Sequence, residues 1–195
     1  MSKSEFTTIA AAALAGLPTT ETEGSMPIEV VAIRPSPHGP LIEWRGGPPR
    51  SSTLLAVLAR ATALRWRDGT PRIPEGWRAE LGVRFPRAFE EGGPNSWGGW
   101  RWLWEAGASM IEEAGGRTFK CEQTKEKFGS IRWYYSLSRK HSLPVVGQVA
   151  RIVANVEHLS AFTCEFCGAP GKIRSDGWAK ACCNHHADRK NRVGR

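Results

Sequence analysis

Four of the five cysteines crowd towards the C-terminal end, at positions 164, 167, 182 and 183, and His185 and His186 follow them directly. The first pair reads Cys164-Glu165-Phe166-Cys167-Gly168-Ala169-Pro170-Gly171. Two residues between cysteines let both thiolates face one point, and the glycine that follows permits a tight turn around a metal ion. A second pair must come from Cys182-Cys183-Asn184-His185-His186. Cys183 with His186 repeats the two-residue gap, Cys182 with His185 is the same pair shifted by one, and Cys183 with His185 is a third choice. Each choice gives three thiolates and one imidazole, a closed tetrahedral zinc site with no position left for water. An ion held that way is structural. It staples a short tail that cannot build a core of its own.

A disulfide framework would leave two histidines in register with the cysteines for no reason. The apolar patch from Ile9 to Leu17 is short, rich in alanine and preceded by Lys3 and Glu5, whose charges nearly cancel. It reads poorly as a secretory signal. Clustered Cys and His in a chain without such a signal point to metal binding in a reducing, intracellular compartment, the cytoplasm. No run of apolar residues is long enough to span a membrane.

Charge adds a partner class. The net charge is +8, and it is unevenly placed. Residues 117–195 hold 15 Lys+Arg against 6 Asp+Glu, whereas residues 1–116 hold 12 against 13. A basic half beside a neutral one suggests a polyanionic partner, although a solvated basic face would look the same. Lys172, Arg174, Lys180, Arg189, Lys190 and Arg192 surround the zinc module, where they can meet phosphates. Trp178 among them either stacks on a base or covers the metal, and covering is the simpler role.

Catalytic patterns are scarce. There is no nucleophile elbow and no glycine-rich phosphate loop. Cys183, His185, His186 and Lys190 resemble the end of an HNH nuclease domain, but residues 168–182 contain neither the His nor the Asn which that chemistry needs. The chain is expected to act by binding, not by catalysis.

The elements that position these residues follow from periodicity. Residues 1–50 are divided between a flexible leader and a loosely packed region, with an Ala-rich helix before Leu17 and a strand over Ile28–Ile33 among many Pro and Gly. Ser51-Ser52-Thr53 caps a helix whose apolar positions are Leu54, Val57, Leu58, Ala61 and Leu64. Residues 69–96 read as loops and short turns. Trp97, Trp100, Leu103, Trp104, Met110, Ile111 and Ala114 share one helical face, which predicts a helix over about 98–114 stopped by Gly115-Gly116. That tryptophan cluster suits a core better than a stacking surface. Arg117–Gln123 and Ser130–Ser136 read as strands joined through Lys125–Gly129, with Phe128 and Ile131 in the core. A last helix starts at Ser142 and carries the stripe Val146, Val149, Ile152, Val153, Val156 and Leu159. The fold class is therefore α+β, a small antiparallel hairpin packed by helices, with residues 51–160 as its body and residues 161–195 as a zinc knuckle with a basic tail.

The run Lys125-Glu126-Lys127-Phe128-Gly129-Ser130-Ile131-Arg132-Trp133-Tyr134, a helix, then Cys164-x2-Cys167-Gly-x-Pro-Gly and Cys183-x2-His186-Ala187 resembles a group of small uncharacterised proteins from phages, prophages and bacterial genomes. The resemblance covers about residues 97–188. It implies a phage or mobile-element setting and a zinc module, and it places the ligands at Cys164, Cys167, Cys183 and His186, leaving Cys182 as a small buried apolar residue. It brings no activity with it. In the run itself, Lys125, Lys127 and Arg132 are candidates for one basic surface. Two functions compete: a structural-zinc protein binding nucleic acid or a nucleoprotein complex, and a protein-interaction module such as a phage inhibitor or adaptor of a host machine.

Overall fold

A computed structural model describes residues 2–17, 26–36, 40–48, 51–138, 142–175 and 177–187. The fold is α+β, built from helices and two-stranded antiparallel sheets. In chain order the elements are α1 (Ser2–Ala15), β1 (Glu29–Arg34), β2 (Leu41–Arg45), α2 (Ser52–Trp66), α3 (Trp77–Arg84), a 3-10 turn (Gly98–Trp100), α4 (Arg101–Glu113), β3 (Lys120–Lys127), β4 (Ser130–Ser136), α5 (Leu143–Ser160), β5 (Lys172–Arg174), β6 (Lys180–Cys182) and α6 (Asn184–Ala187). Among the described residues, no helix is long and apolar enough to cross a membrane.

Three helices make the centre. Helix α2 packs on α1, α4 and α5, and α4 and α5 pack on each other. From Arg101 to Ala108 every residue of α4 is buried, the pattern of a helix enclosed on all sides. The buried stripe of α5 is Val149, Ile152, Val153, Val156 and Leu159, with Val146 at the exposed margin. Gly107 is where these helices and the sheet converge. A Cβ there would lie 2.7 Å from Val156 Cγ2 and 2.9 Å from Trp133 Cζ3.

Of the Trp97–Trp104 cluster and Trp133, all but Trp97 are core. Trp133 stacks on Phe89 at 5.6 Å and meets Trp104 and Phe119 edge-on. Three buried indole N–H groups have acceptors: Trp133 donates to the Ala88 carbonyl, Trp104 to Ser96 Oγ and Trp100 to the Thr163 carbonyl, as a buried donor requires. Trp97, which lies on the same face by helical spacing, precedes the first helical turn and is 54% exposed.

Several expectations shift. Helix α3 occupies part of the stretch read as loops. It buries Trp77 and Leu81, one turn apart. The first strand of the β3–β4 hairpin begins and ends later than expected, because Lys125, Glu126 and Lys127 pair with Arg132, Ile131 and Ser130 instead of forming the turn. The turn is only Phe128-Gly129, at φ 53 and 77, the left-handed pair of a tight hairpin. Phe128 is consequently 64% exposed, not core, whereas Ile131 is fully buried. Between residues 1 and 50, α1 places Phe6, Ile9, Ala10 and Ala13 in the core, and Val30 and Ile42 of the β1–β2 hairpin join them.

Candidate metal centre

The cysteines and the histidine arrive from two directions. Cys164 and Cys167 lie just beyond the C-terminal end of α5. Their loop is closed by bonds from Gly168 N to the Cys164 carbonyl and from Cys164 N to the Ala169 carbonyl. Gly168 sits at φ 74, and a Cβ there would come within 2.6 Å of the Trp102 ring and 2.8 Å of the Gly99 carbonyl. That combination of left-handed backbone and close approach admits only glycine. The chain then runs through β5 and β6 and turns into α6, whose first residues follow Cys183 and carry His186.

The structure brings Cys164, Cys167, Cys183 and His186 together, their ligand atoms all within 4.8 Å of one another. The separations can be tested against a metal. A tetrahedron with zinc–sulfur bonds of about 2.3 Å and zinc–nitrogen bonds of about 2.0 Å has sulfur–sulfur edges near 3.8 Å and sulfur–nitrogen edges near 3.5 Å. Cys167 Sγ lies 3.9 Å from Cys183 Sγ, and His186 Nδ1 lies 3.5 Å from Cys164 Sγ and 3.2 Å from Cys183 Sγ. The donor set and its edges fit a metal ion of that size.

The one-residue ambiguity is resolved by strand parity. Cys182 is the last residue of β6, opposite Lys172, and its buried Sγ is 4.0 Å from the Lys180 carbonyl, outside the cluster. His185 is exposed, edge-on to His186 at 5.2 Å. Burial raises the Cys182 thiol. A hydrogen bond from the Cys167 thiol pulls Cys164 down to about 4, while that same bond and burial push Cys167 up. The shared proton is what a cation displaces when it takes all the thiolates. Cys121 lies apart in β3, pushed up to about 11 by burial and the nearby Glu90.

What holds the knuckle against the body could not be seen in the spacing. Gly99 N donates to the Glu165 carbonyl at 2.8 Å, and a Cβ on Gly99 would lie 2.3 Å from the Cys164 carbonyl oxygen. Arg65, from α2, donates to the Cys167 carbonyl at 3.1 Å and pairs with Glu5 of α1. Phe166 packs between Trp97 and His186, with Lys180 Nζ over its ring at 5.8 Å. Glu165 is 1% exposed. Burial, together with Glu126, pushes its carboxyl up to about 7. Arg65 stands 102 positions from its acceptor, so no local signal marks it.

The expected basic residues fall into two groups. Lys125 and Arg132 are cross-strand partners, and Lys127 follows two positions on, so all three share the outward face of β3–β4. Lys172, Arg174 and Lys180 share one face of β5–β6. The hairpins touch: a Cβ on Gly129 would lie 3.1 Å from the backbone of Lys180 and of Ala181. Arg174 is drawn in towards the knuckle, donating to Asn184 Oδ1 and the Cys182 carbonyl. Trp178, expected over the metal, is 70% exposed instead. Arg189, Lys190 and Arg192 lie outside the described residues.

No protein family, curated protein or solved structure matches this chain.

Proposed function

We propose that this is a non-enzymatic protein, stapled by one structural zinc ion at Cys164, Cys167, Cys183 and His186, that binds nucleic acid or a nucleoprotein complex. Its setting is a phage or another mobile element, and it works in the cytoplasm of a bacterial host. The zinc assignment rests on the donor set, three thiolates and an imidazole at tetrahedral edge lengths.

The binding role rests on one contrast. Between Arg34 and Arg101, eight arginines lie within salt-bridge distance of a carboxylate: Arg34, Arg45, Arg60, Arg65, Arg67, Arg84, Arg87 and Arg101. None of Lys125, Lys127, Arg132, Lys172, Arg174 and Lys180 forms such a pair among the described residues. Cations without a carboxylate in salt-bridge contact, gathered on two touching hairpins, leave positive potential for an external polyanion to neutralise.

Fluorescence anisotropy with labelled duplex DNA, single-stranded DNA and RNA, between about 50 and 200 mM salt, tests this. Affinity should fall steeply with salt, and neutralising Lys125, Lys127 and Lys172 should flatten the slope by about one unit each. Absence of binding at low salt would sink the reading. The protein-interaction alternative would then take its place, favoured by Val31, Ile33 and Leu41 on the β1–β2 hairpin, which are 58%, 37% and 54% exposed.

A further inference from the structure

Two aromatic rings stand in solvent at the tips of the hairpins that carry the unpaired cations. Phe128, in the β3–β4 turn, is 64% exposed, and Trp178, in the β5–β6 turn, is 70% exposed. The Phe128-Gly129 turn lies against Lys180, two residues from Trp178, and against the half-exposed Ile173. Phe128 also occupies φ 53. A tight hairpin turn asks for Asn or Gly there, and a bulky residue is strained in that region. A large apolar ring kept in water, in a backbone conformation that disfavours it, contributes nothing to the core. Strain of this kind gathers at functional positions.

The surroundings indicate what the rings face. Lys127 Nζ lies 5.4 Å from the centre of the Phe128 ring, and Lys125 Nζ lies 4.8 Å from the centre of the Tyr134 ring, itself 42% exposed. Lys172 is exposed on the neighbouring hairpin. Ammonium groups interleaved with open ring faces match the alternation of phosphate and base along a single strand. In a duplex the bases are already stacked on one another and offer a protein ring no face unless a step is pried apart.

We infer that, granted the nucleic-acid reading above, the ligand is a single strand whose bases stack on Phe128 and Trp178 while Lys125, Lys127 and Lys172 take its phosphates. The site is sequence-tolerant, since every base has a face to stack.

The test compares the zinc-loaded full chain with Phe128→Asn, Phe128→Tyr and Trp178→Ala. The probes are a labelled oligothymidine of about fifteen nucleotides and a blunt duplex of the same length. Phe128→Asn places in the turn a residue that accepts its backbone, so its thermal midpoint should equal or exceed the parent's, and lost binding cannot be ascribed to misfolding. Phe128→Asn and Trp178→Ala should each weaken oligothymidine binding roughly 5- to 100-fold and change duplex binding less than about twofold, and Phe128→Tyr should retain affinity. Unchanged oligothymidine affinity in both ring variants would overturn the stacking inference while leaving phosphate binding intact. Failure of the parent to bind either probe at low salt would overturn both.

Discussion

Glu157 shows how a single half-buried carboxylate ties the sheet to the helix beneath it. Its Oε1 accepts the Trp133 backbone N–H at 2.7 Å, so the carboxylate satisfies an edge donor of β4. Burial nevertheless raises its carboxyl above the usual value of 4.5, against the opposing pull of the Trp133 bond and Arg132. The sign follows. A carboxyl raised in the folded state contributes stability below the unfolded pKa, and that contribution is lost as pH rises through the folded value. Glu157→Gln keeps an acceptor for Trp133 and removes the charge. It should flatten that part of the pH dependence and raise the thermal midpoint at pH 7 by up to about 2 °C, with no gain near pH 4. A midpoint at pH 7 below the parent's would mean the charge itself is needed. At this scale the Cys/His cluster was legible down to a one-residue shift. Spacing alone admits Cys182 and His185, and only the end of β6 at Cys182 turns that thiol away and leaves Cys183 free to face the cluster.

Each element was legible where its apolar period was strong. The stripes of α2, α4 and α5 are long, and those helices lie close to where the periods place them. Helix α3 has only Trp77 and Leu81 to bury, and a single i, i+4 pair among glycines and prolines carries too little signal to separate from a loop. The end of β3 was hidden for another reason. Lys125 and Lys127 lie on the face of the hairpin open to solvent, Glu126 between them accepts the Gly129 N–H at the turn, and so charged a run resembles a turn. Both outer edges of this two-stranded sheet are covered, by Ser160 and Glu157 on β4 and by Glu90 and the Arg87 carbonyl on β3, which satisfies donors that an isolated hairpin would leave open. The contact between the 3-10 turn and the knuckle has its own test. On helix propensity alone, Gly99→Ala would be neutral or favourable. The Cβ would instead strike the backbone of Cys164, Glu165 and Cys167. Gly99→Ala should cost about 1–3 kcal/mol in chemical denaturation and weaken zinc retention against a competing chelator. A fully stable variant would show that the knuckle is not seated there.

Across the whole molecule the C-terminal module is bound into the body. Arg65 links α2 to the Cys167 carbonyl and to Glu5 of α1, Trp100 reaches the Thr163 carbonyl, and the β3–β4 turn rests on β6. These contacts join residues far apart in the chain, so nothing in local composition announces them, and they make the knuckle a shared support for α1, α2, α4 and the sheet. The segments Lys125–Tyr134 and Cys164–Ala187 are spatial neighbours, meeting where Gly129 approaches Lys180 and Ala181. The proposed zinc site is the central claim. Zinc content of the purified chain, measured by atomic emission after exhaustive dialysis, tests it most directly. The parent, Cys182→Ser and His185→Ala should each retain one equivalent of zinc, whereas Cys183→Ser and His186→Ala should lose it. A parent that emerges without zinc, or retention by Cys183→Ser with loss in Cys182→Ser, would contradict the account.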